Sequence, residues 1–146
     1  MKNINQIIAT ISKIHHSANR LIINELKKYN LEGLAPSHGD ILIMLYQNEQ
    51  GVPMNKISQS IHKDKSTITA LVNKLEKMQL IEKFKNETDS RSTLIRLTQK
   101  GLEIKPIIME NISTKLIDTT YAGFSQKEKQ TLIDLLSRVK DNYTQY

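Results

Sequence analysis

Residues 64–101 constrain the fold more than any other part of the chain, because the spacing of apolar residues changes abruptly within them. The first half repeats apolar residues three and four positions apart, as one face of a helix does; these residues are Ile68, Leu71, Val72 and Leu75. Two short runs follow at 80–85 and 93–97, and the second alternates in the manner of a strand. Turn-forming residues fill the segment 86–91 between them. This order predicts a helix followed at once by a two-stranded hairpin.

The opposite face of this helix is polar and cationic. It presents short hydrogen-bonding side chains, one alanine and a lysine, namely Ser66, Thr69, Ala70, Asn73 and Lys77. Such a face suits the major groove of DNA, where base edges and phosphates are reached together. Acids on it would favour a protein-interaction module instead, and only Glu76 lies there, toward the edge.

The residues before this helix complete a helix-turn-helix. Residues 54–61 predict a short helix, and Lys63 and Asp64 predict the tight turn after it. Asp64 is an N-cap candidate, because its carboxylate accepts from backbone N–H groups of the first turn. Further upstream, Ser37 and Asp40 resemble a capping box that starts the preceding helix.

Both ends of the chain predict amphipathic helices. Residues 2–29 contain no proline or glycine and carry Ile4, Ile7, Ile8 and Ile11 in a half that lies far from any local partner. Residues 99–120 predict a helix that Pro106 makes irregular. A full capping box, Ser125 to Glu128, starts the last helix. The apolar stripe of this helix comprises Leu132, Ile133, Leu135, Leu136 and Val139. A second subunit is the simplest cover for these stripes, although periodicity alone fits an intrachain core about as well.

Charge is concentrated in the middle of the chain. Residues 54–101 hold ten Lys/Arg against five Asp/Glu, a balance of +5, whereas the remainder holds eleven against ten. A solvated lysine surface accounts for the total of +6 but not for its location, which favours a polyanionic partner. The 146 residues include no cysteine, which excludes disulfides and thiolate metal sites. No stretch approaches the ~18 apolar residues of a membrane span, so a cytoplasmic protein is expected.

Several motifs together resemble the MarR family of bacterial transcription regulators. They are Lys65-Ser66-Thr67-Ile68-Thr69, Leu75-Glu76-Lys77, Asp89-Ser90-Arg91 and Leu97-Thr98-Gln99-Lys100-Gly101. The resemblance implies a mainly α fold with a small β wing (α+β), a winged helix-turn-helix with long N- and C-terminal dimerisation helices. It implies one domain over 1–146, with a DNA-binding lobe at 36–101 and dimerisation helices at 1–30 and 102–146. The implied function is sequence-specific binding of double-stranded DNA by a homodimer, as a repressor on a palindromic operator that a small-molecule effector releases.

Within this resemblance the groove-facing helix and the wing contact DNA. The residues concerned are Lys65, Ser66, Thr67, Thr69, Asn73, Lys74, Lys77, Asp89 and Arg91. The lysines neutralise phosphates, or are merely solvated, and Arg91 at the hairpin tip enters the minor groove. Asp89 is expected to orient Arg91 or to pair with another basic group rather than to contact DNA itself. It could also form the turn, and the two roles are compatible. Many family members carry arginine after Thr69, and because this chain has Ala70 it is expected to rely less on guanine contacts.

The four histidines do not predict a metal site, because no clean i, i+4 ligand pair occurs among them. Family members often bind small aromatic or phenolic acids, and His15, Arg20 and His38 are the residues expected to line such an effector pocket. No cofactor is expected. An enzyme is not expected either, because no nucleophile elbow, phosphate loop or pair of carboxylates in a pocket context is present.

Overall fold

The computed structural model describes residues 3–89 and 91–146, so that Met1, Lys2 and Ser90 lie outside the description. Helices alternate with three short strands in the first two thirds of the chain, and helices follow to the end. The helices are α1 (Ile7–Lys28), α2 (Pro36–Tyr46), α3 (Met54–Ile61), α4 (Lys65–Lys77), α5 (Gln99–Glu103), α6 (Ser113–Thr120) and α7 (Gln126–Asp141). The strands are β1 (Val52–Pro53), β2 (Ile81–Lys85) and β3 (Thr93–Leu97). The predicted mainly α fold with a small β wing is confirmed.

Helix α1 runs for 22 residues without interruption, as its unbroken amphipathic pattern predicts. It is preceded by one 3₁₀ turn, Ile4–Gln6, so the α-helix begins later than the predicted residue 2. The helix ends where Asn30 and Gly33 adopt positive φ values of 61° and 93°. Only its C-terminal part is packed into the core, through Leu26.

Helix α2 starts differently from the sequence prediction. Ala35 is the N-cap and Pro36 the first helical residue, so the prediction that Ser37 starts a capping box is wrong. Proline is well suited to this position, because its fixed φ is helical and its missing N–H has no partner to lose. The side chain that reaches back is that of His38, whose Nδ1 accepts from the backbone N–H of Ala35 at 2.9 Å.

The core lies between α2, α3, α4 and the sheet. Its most deeply buried side chains come from all of these elements and include Ile41, Leu42, Leu45, Ile57, Ile68, Val72, Leu75 and Ile95. The apolar stripe of α4 is therefore the face that packs inward, and its polar face is left outward. Val52 of β1 is also buried.

Within residues 3–89 and 91–146 the strands form one antiparallel sheet of order β1-β3-β2. Strands β2 and β3 pair from Ile81↔Leu97 to Lys85↔Thr93, which is the predicted hairpin. Strand β1 adds two residues to the other edge of β3, where Val52 pairs with Ile95. Strand β1 was not predicted from the sequence.

A tight joint connects the hairpin to α5. The hydroxyl of Thr98 donates to the carbonyl oxygen of Gln79 at 2.6 Å and accepts from the N–H of Gly101 at 3.1 Å. A Cβ atom added to Gly101 would lie 2.1 Å from the carbonyl oxygen of Leu80. In the Leu-Thr-x-x-Gly motif, the threonine therefore caps the helix, and the glycine is small enough for the backbone of Leu80 to pass close to it.

The chain after α5 is irregular, as Pro106 predicts. A π-helical segment, Ile107–Ile112, follows the proline and leads directly into α6. The chain divides into two compact units, the first ending at Thr114 and the second running from Lys115 to Tyr146. In the second unit, Ser125 and Glu128 form the predicted capping box at the start of α7, with bonds of 2.8 and 3.2 Å.

Candidate nucleic-acid interface

The N-terminus of α4 is organised by Asp64. Its Oδ1 accepts from the backbone N–H of Thr67 at 2.7 Å and from the hydroxyl of Ser66 at 2.8 Å. The bond from the Thr67 backbone, followed by that from Ser66, lowers the pKa of Asp64 below its usual value. Because the hydroxyl proton of Ser66 is directed at Asp64, Ser66 presents lone pairs outward and acts there as a hydrogen-bond acceptor.

Thr69 is also partly engaged within its own helix. Its hydroxyl donates to the carbonyl oxygen of Lys65 at 2.8 Å, the back-bonded arrangement common for threonine in helices. Thr67 and Thr69 are half-buried, whereas Lys65, Ser66 and Ala70 are exposed. The outward face of the first two turns is therefore a small, cationic surface with hydroxyl oxygens and methyl groups.

The hairpin tip is built from two side-chain turns. The Oδ1 of Asn86 accepts from the backbone N–H of Thr88 at 3.1 Å, and the Oδ1 of Asp89 accepts from the backbone N–H of Arg91 at 3.0 Å. Asp89 thus has the turn-forming role among the alternatives left open by the sequence, and it holds the backbone of Arg91. The side chain of Arg91 is exposed.

One open cleft of about 680 Å³ brings the wing and the helix-turn-helix together. Lys65 and Thr69 line it from α4, and Asp89 and Arg91 line it from the wing. Helix α3 contributes a polar edge that the sequence analysis did not single out, namely Asn55, Ser58 and Gln59. This polar edge could have been predicted from the sequence, because its three residues recur at helical spacing opposite the buried Ile57. Two cations and several hydroxyl and amide groups therefore converge on one concave surface.

The C-terminal half of α4 has a different environment. The Oδ1 of Asn73 accepts from Nζ of Lys83 of β2 at 2.6 Å, and the same Nζ lies 3.5 Å from a carboxylate oxygen of Glu76. Lys74 extends across the loop after α1. Its Nζ lies 3.1 Å from the point where a Cβ atom would stand if Gly33 had a side chain. Lys77 is exposed.

The remaining charges of the wing are partly neutralised. Arg96 of β3 pairs with Glu82 of β2 and lies over the ring of Phe84, 4.4 Å from its centroid. Lys100 donates to the carbonyl oxygen of Met78 at 3.0 Å. The basic balance of residues 54–101 thus includes cations that brace the hairpin and cations, such as Lys65 and Arg91, that face the cleft.

The residues predicted for an effector pocket have distinct surroundings. His15 is exposed on α1 and bonds to the Asn19 amide at 3.2 Å. Arg20 lines a shallow depression of about 520 Å³ on α1 with Leu21 and Glu25. His38 is buried, and desolvation, together with the nearby charge of Lys74, lowers its pKa. Among residues 3–89 and 91–146, no group of three or more His, Asp or Glu side chains is arranged to hold a metal ion.

The predicted dimerisation residues are exposed or half-buried. In the first unit, Ile4, Ile7 and Ile8 are 84%, 49% and 52% exposed, and Ile11 is half-buried. In the second unit, Leu135 and Leu136 are 50% and 43% exposed, and Leu132 and Val139 are half-buried. None of the helices in the described part of the chain is long and apolar enough to cross a membrane.

A model of the transcriptional regulators SarA and Rot matches residues 20–108, which include the helix-turn-helix, the wing and the joint at Gly101. The chain belongs to the SarA/Rot family of transcriptional regulators. This SarA/Rot-family protein is 30% identical to the HTH-type transcriptional regulator SarZ of Staphylococcus haemolyticus over 108 residues, 73% of this chain and 70% of the relative. SarZ of Staphylococcus aureus is 31% identical over 113 residues, covering 77% and 72%.

The fold is also that of solved MarR-type regulators. A SlyA-like transcription regulator from Listeria monocytogenes shares 27% identity with a TM-score of 0.76, over 97% of this chain and 89% of its own. A mutant MarR from E. coli, solved in complex with operator DNA, has a TM-score of 0.80 at 18% identity, over 94% and 99%. The MarR-type winged-helix resemblance is confirmed, and so is the prediction that the chain is not an enzyme, because its family consists of transcriptional regulators.

Proposed function

We propose that this SarA/Rot-family protein regulates transcription by binding double-stranded DNA in a sequence-specific manner, as a homodimer in the cytoplasm. The observation that supports the proposal most strongly is the cleft lined by Lys65 and Thr69 of α4 and by Asp89 and Arg91 of the wing. A DNA backbone offers the phosphates that such cations neutralise, and the outward face of α4 offers hydrogen-bonding groups to base edges. The MarR of similar fold that was solved with operator DNA supports this assignment.

The interface as proposed comprises three groups of residues with separate roles. Groove contacts come from Ser66, Thr67, Thr69 and Asn73, and phosphate contacts come from Lys65, Lys74 and Lys77. Arg91 enters the minor groove beside the major groove that α4 occupies, with Asp89 holding its backbone. The lobe that carries these residues spans 36–101.

The oligomer is proposed from exposed apolar side chains in each unit. Ile4, Ile7 and Ile8 of the first unit and Leu135 and Leu136 of the second lie outside the core that the protomer forms. Exposure of this many apolar side chains to water is unfavourable, and burial against a second copy of the chain lowers the free energy. A two-fold dimer places two copies of α4 about one helical turn of DNA apart, ~34–36 Å, so the operator is palindromic.

Repression and release by an effector complete the proposal. A dimer seated on an operator near a promoter blocks transcription, and a small aromatic or phenolic acid that binds at residues such as His15, Arg20 and His38 lowers the affinity for DNA. The depression at Arg20 supplies a guanidinium for a carboxylate. Titration of the DNA complex with benzoate tests this part, and unchanged affinity at every concentration argues against it.

The test of DNA binding is the salt dependence of affinity for duplexes enriched from a random pool. If ~6–10 phosphates are neutralised, affinity falls ~10³–10⁵-fold between 50 and 200 mM salt. Arg91→Ala is expected to weaken binding by ~1–3 kcal/mol, or roughly 5–150-fold. Arg138→Ala, which removes the same charge from an exposed position of α7, is the control. A shallow salt slope, or equal losses in both variants, favours a winged helix that binds protein instead.

A further inference from the structure

Asn73 and Lys83 form a contact between the groove-facing helix and the wing that stability does not explain. The Nζ of Lys83 lies 2.6 Å from Oδ1 of Asn73 and 3.5 Å from Oε1 of Glu76. The side chains of Lys83 and Glu76 are 30% and 44% exposed, and Asn73 is exposed as well. Hydrogen bonds and ion pairs at such exposed positions contribute little to folding. The contact instead acts on the orientation of the Asn73 amide.

The contact determines which end of the amide faces β2. An ammonium group has three donors and no acceptor, so only the oxygen of Asn73 can meet Lys83. The amide nitrogen is then the free end, and it has two N–H groups to donate. Glu76, one turn further along α4, lies 3.5 Å from the same ammonium, and this ion pair favours a position of Lys83 beside Asn73 over one extended toward solvent.

This orientation changes what Asn73 reads. A free asparagine pairs with adenine through two bonds, in which Nδ2 donates to N7 and Oδ1 accepts from the N6 amino group. The second lone pair of Oδ1 remains open here, but an adenine amino group bound there lies beside the ammonium of Lys83, with its positive end toward a positive charge. Guanine presents two acceptors, N7 and O6, which match the amide N–H and the ammonium together.

We propose that Lys83 orients the amide of Asn73 and supplies the second donor, so that Asn73 changes from an adenine reader into part of a donor pair selective for guanine. The proposal rests on the DNA-binding function proposed above and adds a specificity that the polar face of α4 alone does not indicate. It also supplies a guanine contact in a chain where Ala70 follows Thr69.

The experiment begins with selection of duplexes from a random pool by the wild-type protein, followed by affinity measurements on the selected site and on versions with each guanine changed to adenine. Lys83→Met keeps the unbranched shape and most of the length of the side chain and removes its charge. At one position of each half-site, the preference for guanine over adenine is expected to fall by roughly 5- to 150-fold in Lys83→Met, the discrimination of one good base contact.

Two further variants make the result decisive. Lys85→Met is the matched control, because Lys85 is exposed two residues along the same strand and makes no side-chain hydrogen bond or ion pair within the described residues. It is expected to lower affinity equally for all sequences. The double variant Asn73→Ala/Lys83→Met is expected to lack the relative gain for adenine that Lys83→Met shows, since that gain needs the amide.

The outcomes separate the two proposals. If Lys83→Met binds more weakly but with unchanged base preference at every position, Lys83 is an ordinary phosphate contact and the proposal is overturned, while DNA binding stands. The proposal is also overturned, with DNA binding unaffected, if Asn73→Ala/Lys83→Met keeps the relative gain for adenine seen in Lys83→Met. If the wild-type protein enriches no sequence even at low salt, both proposals fail.

Discussion

Gly101→Ala tests how the wing is joined to the helices that follow it. The added Cβ lies 2.1 Å from the carbonyl oxygen of Leu80 and 3.1 Å from a methyl carbon of Leu97. The first contact is with backbone, so a rotamer change cannot relieve it, and the two segments must separate by roughly 1.3 Å or more to restore an ordinary carbon–oxygen contact. The carbonyl oxygen of Leu80 also accepts from the N–H of Thr98 at 3.1 Å, a bond that this separation breaks.

The magnitude follows from these two effects. Overpacking a well-packed site costs ~1–3 kcal/mol, and the lost hydrogen bond adds ~1 kcal/mol. The expected loss is therefore ~2–4 kcal/mol in the free energy of unfolding, or roughly 4–16 °C in Tm for a chain of this length. Urea denaturation followed by circular dichroism measures it, at one protein concentration, because association shifts the midpoint.

Gly39→Ala is the matched control for this measurement. Gly39 lies within α2, and a Cβ there has no neighbour within 4 Å. Alanine is favoured over glycine in a helix by ~0.5–1 kcal/mol, so this variant is expected to be as stable as the wild type or more stable. If Gly101→Ala unfolds at the same urea concentration as Gly39→Ala, the close passage at Leu80 does not exist as described and the reasoning is refuted.

The other predictions concern a cap, a buried histidine and the oligomer. Thr98→Val is expected to destabilise the protein by ~0.5–2 kcal/mol in urea, because the N-cap bond to Gly101 is lost, and an unchanged midpoint contradicts that role. The folded-state pKa of His38 is lowered, so the unfolded chain binds the proton more readily and stability decreases as the pH falls below ~6.5. The variant His38→Asn keeps an acceptor for the backbone N–H and is expected to flatten this pH dependence in denaturation curves at pH 5–7. A pH profile like that of the wild type in this variant argues against the role of His38. Leu135→Glu is expected to give a monomer in light scattering with circular dichroism unchanged, and a dimer of wild-type stability removes this residue from the interface.

Long elements with a clear period were predictable from the sequence, and short elements and cap positions were less so. The stripe of α4 and the hairpin 81–97 follow from periodicity and turn residues, which are local properties. Strand β1 was missed because two residues carry no period, and Val52 becomes a strand residue only by pairing with Ile95. The start of α2 was misplaced because Ser37 looked like a cap, whereas Pro36 and the buried imidazole of His38 decide the start.

The candidate interface divides in the same way. The residue types and their clustering within 54–101 are visible in the sequence, and so is the family resemblance that the comparisons confirm. The polar edge of α3 in the cleft depends on how three elements meet, and the sequence analysis did not include it. The engagement of Ser66 by Asp64 depends on rotamers, which composition does not specify.

By itself, then, the sequence determined the order of helices and strands, which faces are apolar and where the positive charge is concentrated, because these properties depend on neighbours within a few residues. Tertiary structure alone decided which polar groups are free to bind a partner. Asn73 and Lys83 are ten residues apart in the chain, on a helix and on a strand, and only their packing turns the amide of one toward the ammonium of the other. The chemistry offered to DNA is therefore set by contacts between elements, whereas the residues that offer it are set by the chain.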